Sequence, residues 1–131
     1  MSRAALRRWV TALLVGLALG GCGVPSSNPW AADYTGTVVD ARPPAAHAGT
    51  VSRVRISPSG SVTFQGSCAL DPSYQGTGQV RSGTQCEGSY LGQCGRVTFT
   101  GGLATVNRRK AATGTFGCAK GHTGTWRWDQ R

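Results

Sequence analysis

The sequence predicts an all-β domain, a small antiparallel barrel-like meander of about seven or eight short strands. After the first thirty or so residues, apolar side chains recur at every second position and nowhere at helical spacing, which indicates strands with one buried face. Turn-forming residues separate these stretches roughly every eight to twelve positions. Gly-Thr units recur inside the predicted strands, and glycine there suits the tight bends and close packing of a small barrel.

The first predicted strand covers residues 34–39, and a loop follows at residues 41–49. Pro43-Pro44 prevents a regular helix in this loop. We expect His47, which lies in the same loop, to be solvated. The barrel should close by pairing this first strand with the last one, which ends near Trp128.

Residues 51–68 form the clearest predicted hairpin, because Pro58-Ser59-Gly60 fits a type I turn followed by a left-handed residue. Pairing across this turn places Val54 opposite Phe64 on a buried face. The opposite, solvent-facing side then carries polar and charged residues: Arg53, Arg55, Thr63 and Gln65. Turn chemistry and face pattern therefore agree.

Two short strands at residues 76–81 and 84–91 are predicted next, followed by a hairpin that joins residues 94–100 to 103–108. The hairpin is centred on Gly101-Gly102, a pair able to adopt the positive φ values of a two-residue turn. This closure would place four apolar residues on one face: Val97, Phe99, Ala104 and Val106.

The last predicted hairpin joins residues 113–118 to 123–129. We favour the register that sets Gly114 opposite Trp128, because a glycine leaves room for an indole ring. Trp126 lies two positions before Trp128, so both indoles point the same way, towards the core.

The N-terminal residues have the organisation of a secretory signal, with a basic start, an apolar stretch at residues 10–19 and small residues after it. The apolar stretch is about half as long as a membrane-spanning helix requires. Leu19-Gly20-Gly21-Cys22 resembles the lipobox of bacterial lipoproteins. The resemblance implies that Cys22 becomes the first mature residue and carries diacylglycerol and a further acyl chain such as palmitate.

On this interpretation residues 1–21 are the signal peptide, residues 22–32 a lipidated flexible tether, and residues 33–131 a single β-rich domain. The resemblance implies a protein anchored in the bacterial cell envelope and facing the periplasm or the exterior. Gly23 lacks the aspartate that retains many enterobacterial lipoproteins at the inner membrane, which favours the outer membrane in a cell with two. The alternative to a lipoprotein signal is an ordinary cleaved secretory signal, in which Cys22 is a chance cysteine.

The chain is strongly basic, with 14 Lys and Arg against 5 Asp and Glu, and its net charge of +9 falls to +6 once the signal is removed. Such a charge favours anionic envelope components as partners, beside the membrane itself. Nucleic acid is not expected, because an exported protein rarely meets it. Three adjacent cations at a predicted strand end are the candidate anion contacts: Arg108, Arg109 and Lys110.

Four cysteines follow Cys22, and an even number in a small exported domain predicts two disulfides. Three connectivities are possible. If the strands form a continuous meander, alternate chain directions favour two bridges: Cys68 with Cys94, and Cys86 with Cys118. If residues 71–84 form one long loop instead, Cys68 with Cys86 becomes the better pair.

No catalytic, cofactor-binding or metal-binding constellation is predicted, and we expect the protein not to be an enzyme. The sequence has no G-x-S-x-G elbow, no phosphate-binding loop and no C-x-x-C pair. His122 lies in a predicted tight turn, where we expect it to be solvated. Asp71 precedes Pro72 and is typical of a turn.

Two non-catalytic functions follow. The first is an accessory or binding module on the envelope. The alternative is an inhibitor or ligand-binding barrel, because the chain resembles the small lipoproteins that inhibit lysozyme in size and predicted barrel, though not in their Ser-Gly and Tyr pattern before a Trp strand. A domain of charge +6 would be repelled by a basic lysozyme, which favours the first function.

Overall fold

The computed structural model describes residues 27–131, which form a closed barrel of eight antiparallel strands in up-and-down order. The strands are β1 Ala32–Asp40, β2 Gly49–Ile56, β3 Ser61–Cys68, β4 Tyr74–Arg81, β5 Gln85–Gly92, β6 Gly95–Val106, β7 Arg109–Cys118 and β8 Thr123–Gln130. β8 pairs with β1, so the predicted closure of the barrel is confirmed. Within the described residues, no helix has the length and apolar character needed to cross a membrane.

The hairpin of β2 and β3 has the predicted register. Val54 pairs with Phe64 across it, and both side chains are buried. Gly60 adopts a φ of 87°, the left-handed conformation that the predicted turn requires. Because side chains alternate along a strand, Arg53 and Arg55 lie on the outer face, as predicted.

The predicted turn at Gly101-Gly102 is wrong, because β6 continues through both glycines as a single strand of 12 residues. The chain turns instead at Asn107-Arg108, where φ is 50° and 65°, the positive pair of a two-residue hairpin. Gly101 is needed for packing, since a Cβ atom there would collide with the Trp126 ring. Beyond the glycines the strand presents Leu103 to the core and leaves Val106 47% exposed.

The last hairpin is also shifted by two residues from the predicted register. Gly114 pairs with Trp126, and Trp128 pairs with Ala112. A small residue still lies opposite each indole and leaves room for the ring, as expected. The predicted pairing of Gly114 with Trp128 is wrong. Both indoles are buried in the core, as predicted.

Aromatic rings fill the barrel interior. The Phe64 ring lies edge-on to Phe99 at 5.0 Å between centroids, and the two indoles of Trp126 and Trp128 lie 4.4 Å apart. Aromatic side chains bury more apolar surface than any others, and the edge-to-face contact of Phe64 with Phe99 is an arrangement that rings prefer. The interior is therefore a packed core.

The two ends of the barrel differ in what covers them. The basal end carries the turns between β2 and β3, β4 and β5, and β6 and β7. The segment before β1 lies across it: the Asn28 N–H donates to the Pro58 carbonyl at 2.8 Å and the Trp30 indole N–H donates to the Gly83 carbonyl at 2.6 Å. The distal end carries the loops at residues 41–48, 69–73, 93–94 and 119–122.

These contacts correct the predicted boundary of the flexible tether, because residues 28–31 lie against the barrel and Ala32 already belongs to β1. The Tyr34 hydroxyl fixes the same segment by donating to the Trp30 carbonyl at 2.6 Å. The predicted signal peptide, the lipidation site at Cys22 and the first part of the tether lie outside the described residues.

Within residues 27–131 there is one disulfide, Cys94–Cys118, and the predicted pairs Cys68 with Cys94 and Cys86 with Cys118 are wrong. The cause is the false turn at residues 101–102, which reversed the expected direction of every later strand. With β6 unbroken, Cys118 comes to the distal end beside Cys94. Cys68 is buried at that end as a free thiol, and Cys86 is a free, buried thiol near the basal end.

Candidate functional site

A shallow groove of about 650 Å³ crosses the outside of the barrel from β2 to the start of β6. We call it the arginine groove, because three guanidinium groups line it together with amide and hydroxyl groups: Arg53, Arg55, Arg96, Gln65, Gln75, Thr63, Thr77 and Ser89. These side chains share the groove because the outward positions of neighbouring strands stand side by side.

In the described part of the chain, no carboxylate lies within 4.0 Å of the guanidinium groups of the arginine groove, although Asp33 pairs with Arg55 on the outer face of β1 and β2. Among the described residues, the ion pairs formed by arginine are Arg81 with Glu87 and Arg127 with Asp129, both away from the three groove arginines. Arg96 instead donates to the Ser89 hydroxyl at 3.2 Å. Unpaired guanidinium groups can bind carboxylate or phosphate through two parallel hydrogen bonds, so the groove suits an anionic ligand.

A second cationic surface lies at the turn between β6 and β7. We call it the basal turn, and it consists of Arg108, Arg109 and Lys110, the predicted anion contacts. Arg108 and Arg109 are exposed and Lys110 is partly exposed. Within residues 27–131 no carboxylate lies within 4.0 Å of any of them. The basal turn is at the same end of the barrel as Trp30, where the preceding chain joins the domain.

The barrel interior has no room for an organic ligand. Its cavity measures about 40 Å³ and lies among the aromatic rings of the core. Pockets that hold small-molecule ligands are on the order of 300 to 1,000 Å³, whereas a cavity of this size admits about one water molecule. An organic ligand of this protein would therefore bind on the outside of the barrel.

The distal end contains a cluster of polar side chains that was not predicted from the sequence. We call it the distal cluster: His47, Cys68, Asp71 and Tyr90. His47 is 2% exposed and Asp71 is 7% exposed, so the expectation that His47 is solvated is wrong. The loop at residues 41–48 folds over the barrel end and carries the imidazole inward.

Distances within the distal cluster are short. The Nδ1 atom of His47 lies 3.2 Å from the Tyr90 hydroxyl, 3.8 Å from the Cys68 Sγ atom and 4.0 Å from Asp71 Oδ2. The Gln93 N–H donates to Asp71 Oδ1 at 2.9 Å and fixes the carboxylate. The other carboxylate oxygen, Oδ2, and the Nε2 atom of His47 are buried without a hydrogen-bond partner in the described part of the chain.

Burial dominates the electrostatics of the distal cluster. Desolvation lowers the pKa of His47, and the nearby carboxylate of Asp40 opposes this shift only in part. Desolvation also raises the pKa of the Cys68 thiol, against backbone N–H groups of Asp71 and Leu70 that favour the thiolate. Burial therefore favours the neutral form of both the imidazole and the thiol.

His122, expected to be solvated, lies beside this cluster. Its side chain is 24% exposed, its Nδ1 atom is 3.8 Å from Asp40 Oδ2, and its ring is 5.1 Å from that of His47. The sequence held one usable signal for this arrangement. In an up-and-down barrel alternate loops share an end, so correct strand counting places the loops of His47, Asp71 and His122 together.

No protein-family model and no curated protein sequence matches this chain. Solved structures that resemble it include a de novo designed fluorescence-activating β-barrel, which is 15% identical in sequence with a TM-score of 0.52. The match covers 82% of this chain and 99% of the designed one. At this identity the likeness shows the barrel fold alone.

Proposed function

We propose that this protein is a non-catalytic, lipid-anchored binding module of the bacterial cell envelope, and that its arginine groove binds an acidic polymer of that envelope. The observation that carries the proposal is an open groove lined by three guanidinium groups that form no ion pair within 4.0 Å in the described residues. Its hydroxyl and amide groups add hydrogen bonds of the kind that sugar hydroxyls make. Leu91, 77% exposed beside these groups, adds an apolar contact for a sugar ring face.

The lipid anchor rests on the lipobox-like sequence that ends at Cys22. Two or three acyl chains on that cysteine would hold the protein firmly in a bilayer. In this arrangement the basal end faces the membrane, since the chain joins the barrel there at Asn28 and Trp30. The cations of the basal turn then meet anionic headgroups, and the arginine groove on the side of the barrel stays open to the envelope space.

Lipidation is tested by mass spectrometry of the protein purified from its native membrane. We expect an N-terminus at Cys22 that carries diacylglycerol and an amide-linked acyl chain. Substituting Cys22→Ser should release the domain from membranes or leave it unprocessed. Cleavage elsewhere, or an unmodified Cys22, would remove the anchor from the proposal.

Two triple variants that remove equal charge separate the two cationic surfaces. In the Cys22→Ser background, Arg53, Arg55 and Arg96 are changed to alanine in one variant, and Arg108, Arg109 and Lys110 in the other. Each cation near an anionic surface contributes on the order of 1 kcal/mol, so a triple change should weaken binding about a hundredfold. Increasing salt should weaken wild-type binding in the same direction.

The probes are polygalacturonate, a soluble acidic polysaccharide, and vesicles with and without phosphatidylglycerol. We expect the groove variant to lose polygalacturonate binding and keep vesicle binding, and the basal-turn variant to do the reverse. If both variants lose the same binding, the binding depends on the net charge of the domain and on neither surface in particular. Binding to neither probe would favour a protein partner, including the inhibitor alternative.

A further inference from the structure

We propose that His47, Cys68 and Asp71 form a binding site for a divalent transition metal of the Zn²⁺ class, at the distal end of the barrel. One ligand atom from each residue lies within 4.8 Å of the other two. All three residues are at least nine-tenths buried. This site goes beyond the proposed anion binding, because it lies at a different place and takes a cation.

The observed separations are close to those of a tetrahedral zinc site. Zinc bonds to nitrogen, oxygen and sulfur measure about 2.0 to 2.3 Å, which sets neighbouring ligand atoms about 3.3 to 3.8 Å apart. The His47 Nδ1 atom lies 3.8 Å from Cys68 Sγ and 4.0 Å from Asp71 Oδ2. These two distances therefore need to close by at most a few tenths of an ångström, and the third, between Cys68 and Asp71, lies within 4.8 Å.

The carboxylate of Asp71 gives independent support for a cation. Its Oδ1 atom accepts a hydrogen bond from the Gln93 N–H at 2.9 Å, which directs Oδ2 towards His47. The Oδ2 atom is buried and has no hydrogen-bond partner within residues 27–131. A buried acceptor without a partner costs on the order of 1 to 3 kcal/mol, more when it is charged, and a metal ion would relieve that cost.

The charge and chemistry of the three ligands favour zinc over the common hard cations. One thiolate and one carboxylate neutralise a divalent ion, which suits a buried site. Ca²⁺ and Mg²⁺ prefer oxygen ligands alone, whereas zinc accepts sulfur, imidazole nitrogen and carboxylate together. The Asp71 N–H, 3.4 Å from Cys68 Sγ, would stabilise the thiolate.

Three protein ligands leave a fourth position. The Tyr90 hydroxyl lies 3.2 Å from His47 Nδ1 and borders this position, where it or a water molecule would complete the coordination. A second group of ligand types, His47 with Cys94 and Cys118, is also close together. Its sulfur atoms are joined in the disulfide, so the thiol of Cys68 is the one free to bind.

The test uses the Cys22→Ser chain after treatment with a chelator, so that Cys22 contributes no thiol. Calorimetric titration with Zn²⁺ should show one equivalent bound, and Co²⁺ should give a thiolate-to-cobalt charge-transfer band together with tetrahedral d–d bands. Cys68→Ser should abolish the charge-transfer band, and Asp71→Asn should weaken Zn²⁺ binding at least tenfold. Cys86→Ser is the matched control, because Cys86 is the other buried free thiol and lies near the opposite end.

Cys86→Ser should leave the stoichiometry and the cobalt spectrum unchanged. If Cys68→Ser fails to fold, the wild-type spectrum and Asp71→Asn still decide the question. The proposal is overturned if the folded wild type binds no Zn²⁺, if its cobalt complex lacks the charge-transfer band, or if Asp71→Asn binds as tightly as wild type. The proposal is also overturned if Zn²⁺ binds only after reduction of Cys94–Cys118, because the ligands would then be His47, Cys94 and Cys118.

Discussion

At the scale of single residues, glycine allows this small barrel to hold many aromatic rings. A Cβ atom at Gly76 would meet the Phe64 ring, and one at Gly114 would meet the Trp126 ring. Glycine inside these strands was predicted to serve bends or close packing, and the packing role is confirmed. Which ring lies over which glycine could not be predicted, because that depends on a register the sequence fixes only weakly.

Gly114→Ala should destabilise the protein by about 1 to 3 kcal/mol or more, because overpacking forces the surrounding structure to move. The new Cβ atom would lie 2.6 Å from the Gly101 Cα atom and 2.7 Å from the Trp126 ring. Gly117→Ala is the matched control on the same strand, since its Cβ atom would make only ordinary contacts at 3.7 and 3.8 Å. Urea denaturation measures both free energies of unfolding; equal values would contradict the close packing.

The buried Tyr34 side chain should make the free energy of unfolding fall at alkaline pH. Burial raises the pKa of Tyr34 from its usual value near 10 to about 12. Between these values the unfolded chain loses the phenolic proton and the folded chain keeps it, so stability is full below pH 10 and falls as pH rises towards 12. Tyr34→Phe should flatten this fall.

The same substitution should cost about 1 kcal/mol at neutral pH, because it removes the hydrogen bond to the Trp30 carbonyl. Urea unfolding measured at a series of pH values tests both effects. Tyr74, whose pKa burial also raises to about 12, keeps part of the slope in the variant. A Tyr34→Phe profile as steep as that of wild type would show that Tyr34 ionises as readily in the folded chain as in the unfolded one.

At the scale of elements, the hairpin of β2 and β3 was predictable because its turn residues and its alternating faces gave the same answer. The turn between β6 and β7 was not. Gly101-Gly102 satisfies a turn and close packing equally well, and the structure uses Gly101 for packing. The true turn, Asn107-Arg108, carries a weak signal, because arginine rarely adopts positive φ.

Arg108→Gly should therefore stabilise the hairpin. Arg108 has a φ of 65°, and a non-glycine residue held there costs on the order of 1 kcal/mol that glycine does not. Arg109→Gly is the control, because Arg109 is the first residue of β7 and glycine weakens a strand. Thermal melts should shift upwards for the first variant and downwards for the second. A downward shift for both would mean that the Arg108 side chain contributes more than its backbone conformation costs.

In an up-and-down barrel, the number of strands that precede a residue determines at which end of the barrel that residue lies. One false turn moved Cys118 to the wrong end in the sequence analysis and produced the wrong disulfide pairing. The outward positions of Arg53 and Arg55 were predictable, because alternation along a hairpin is local. The distal cluster was not, because loops cover the barrel end and their inward residues follow no period. Burial of His47 depends on how the loop at residues 41–48 folds back.

The thiol content of the native chain tests this arrangement. In the metal-free Cys22→Ser protein, alkylation should label no cysteine while the chain is folded, and should label Cys68 and Cys86 in denaturant. Both thiols are buried, and burial raises the pKa of Cys86 to about 11, so little reactive thiolate forms at neutral pH. Peptide mapping without reduction should recover Cys94 joined to Cys118.

The single bridge should also carry a measurable part of the stability of so small a barrel. It closes a loop with a sequence separation of 24, for which loop-closure entropy gives about 3 kcal/mol. Replacing Cys94 and Cys118 together by alanine should lower the free energy of unfolding by about that amount. Cys86→Ala, which removes a buried thiol but no cross-link, should cost less, on the order of 1 kcal/mol. A denatured chain with no thiol to label would mean two bridges, and would contradict a structure in which Cys68 and Cys86 are free and lie near opposite ends of the barrel.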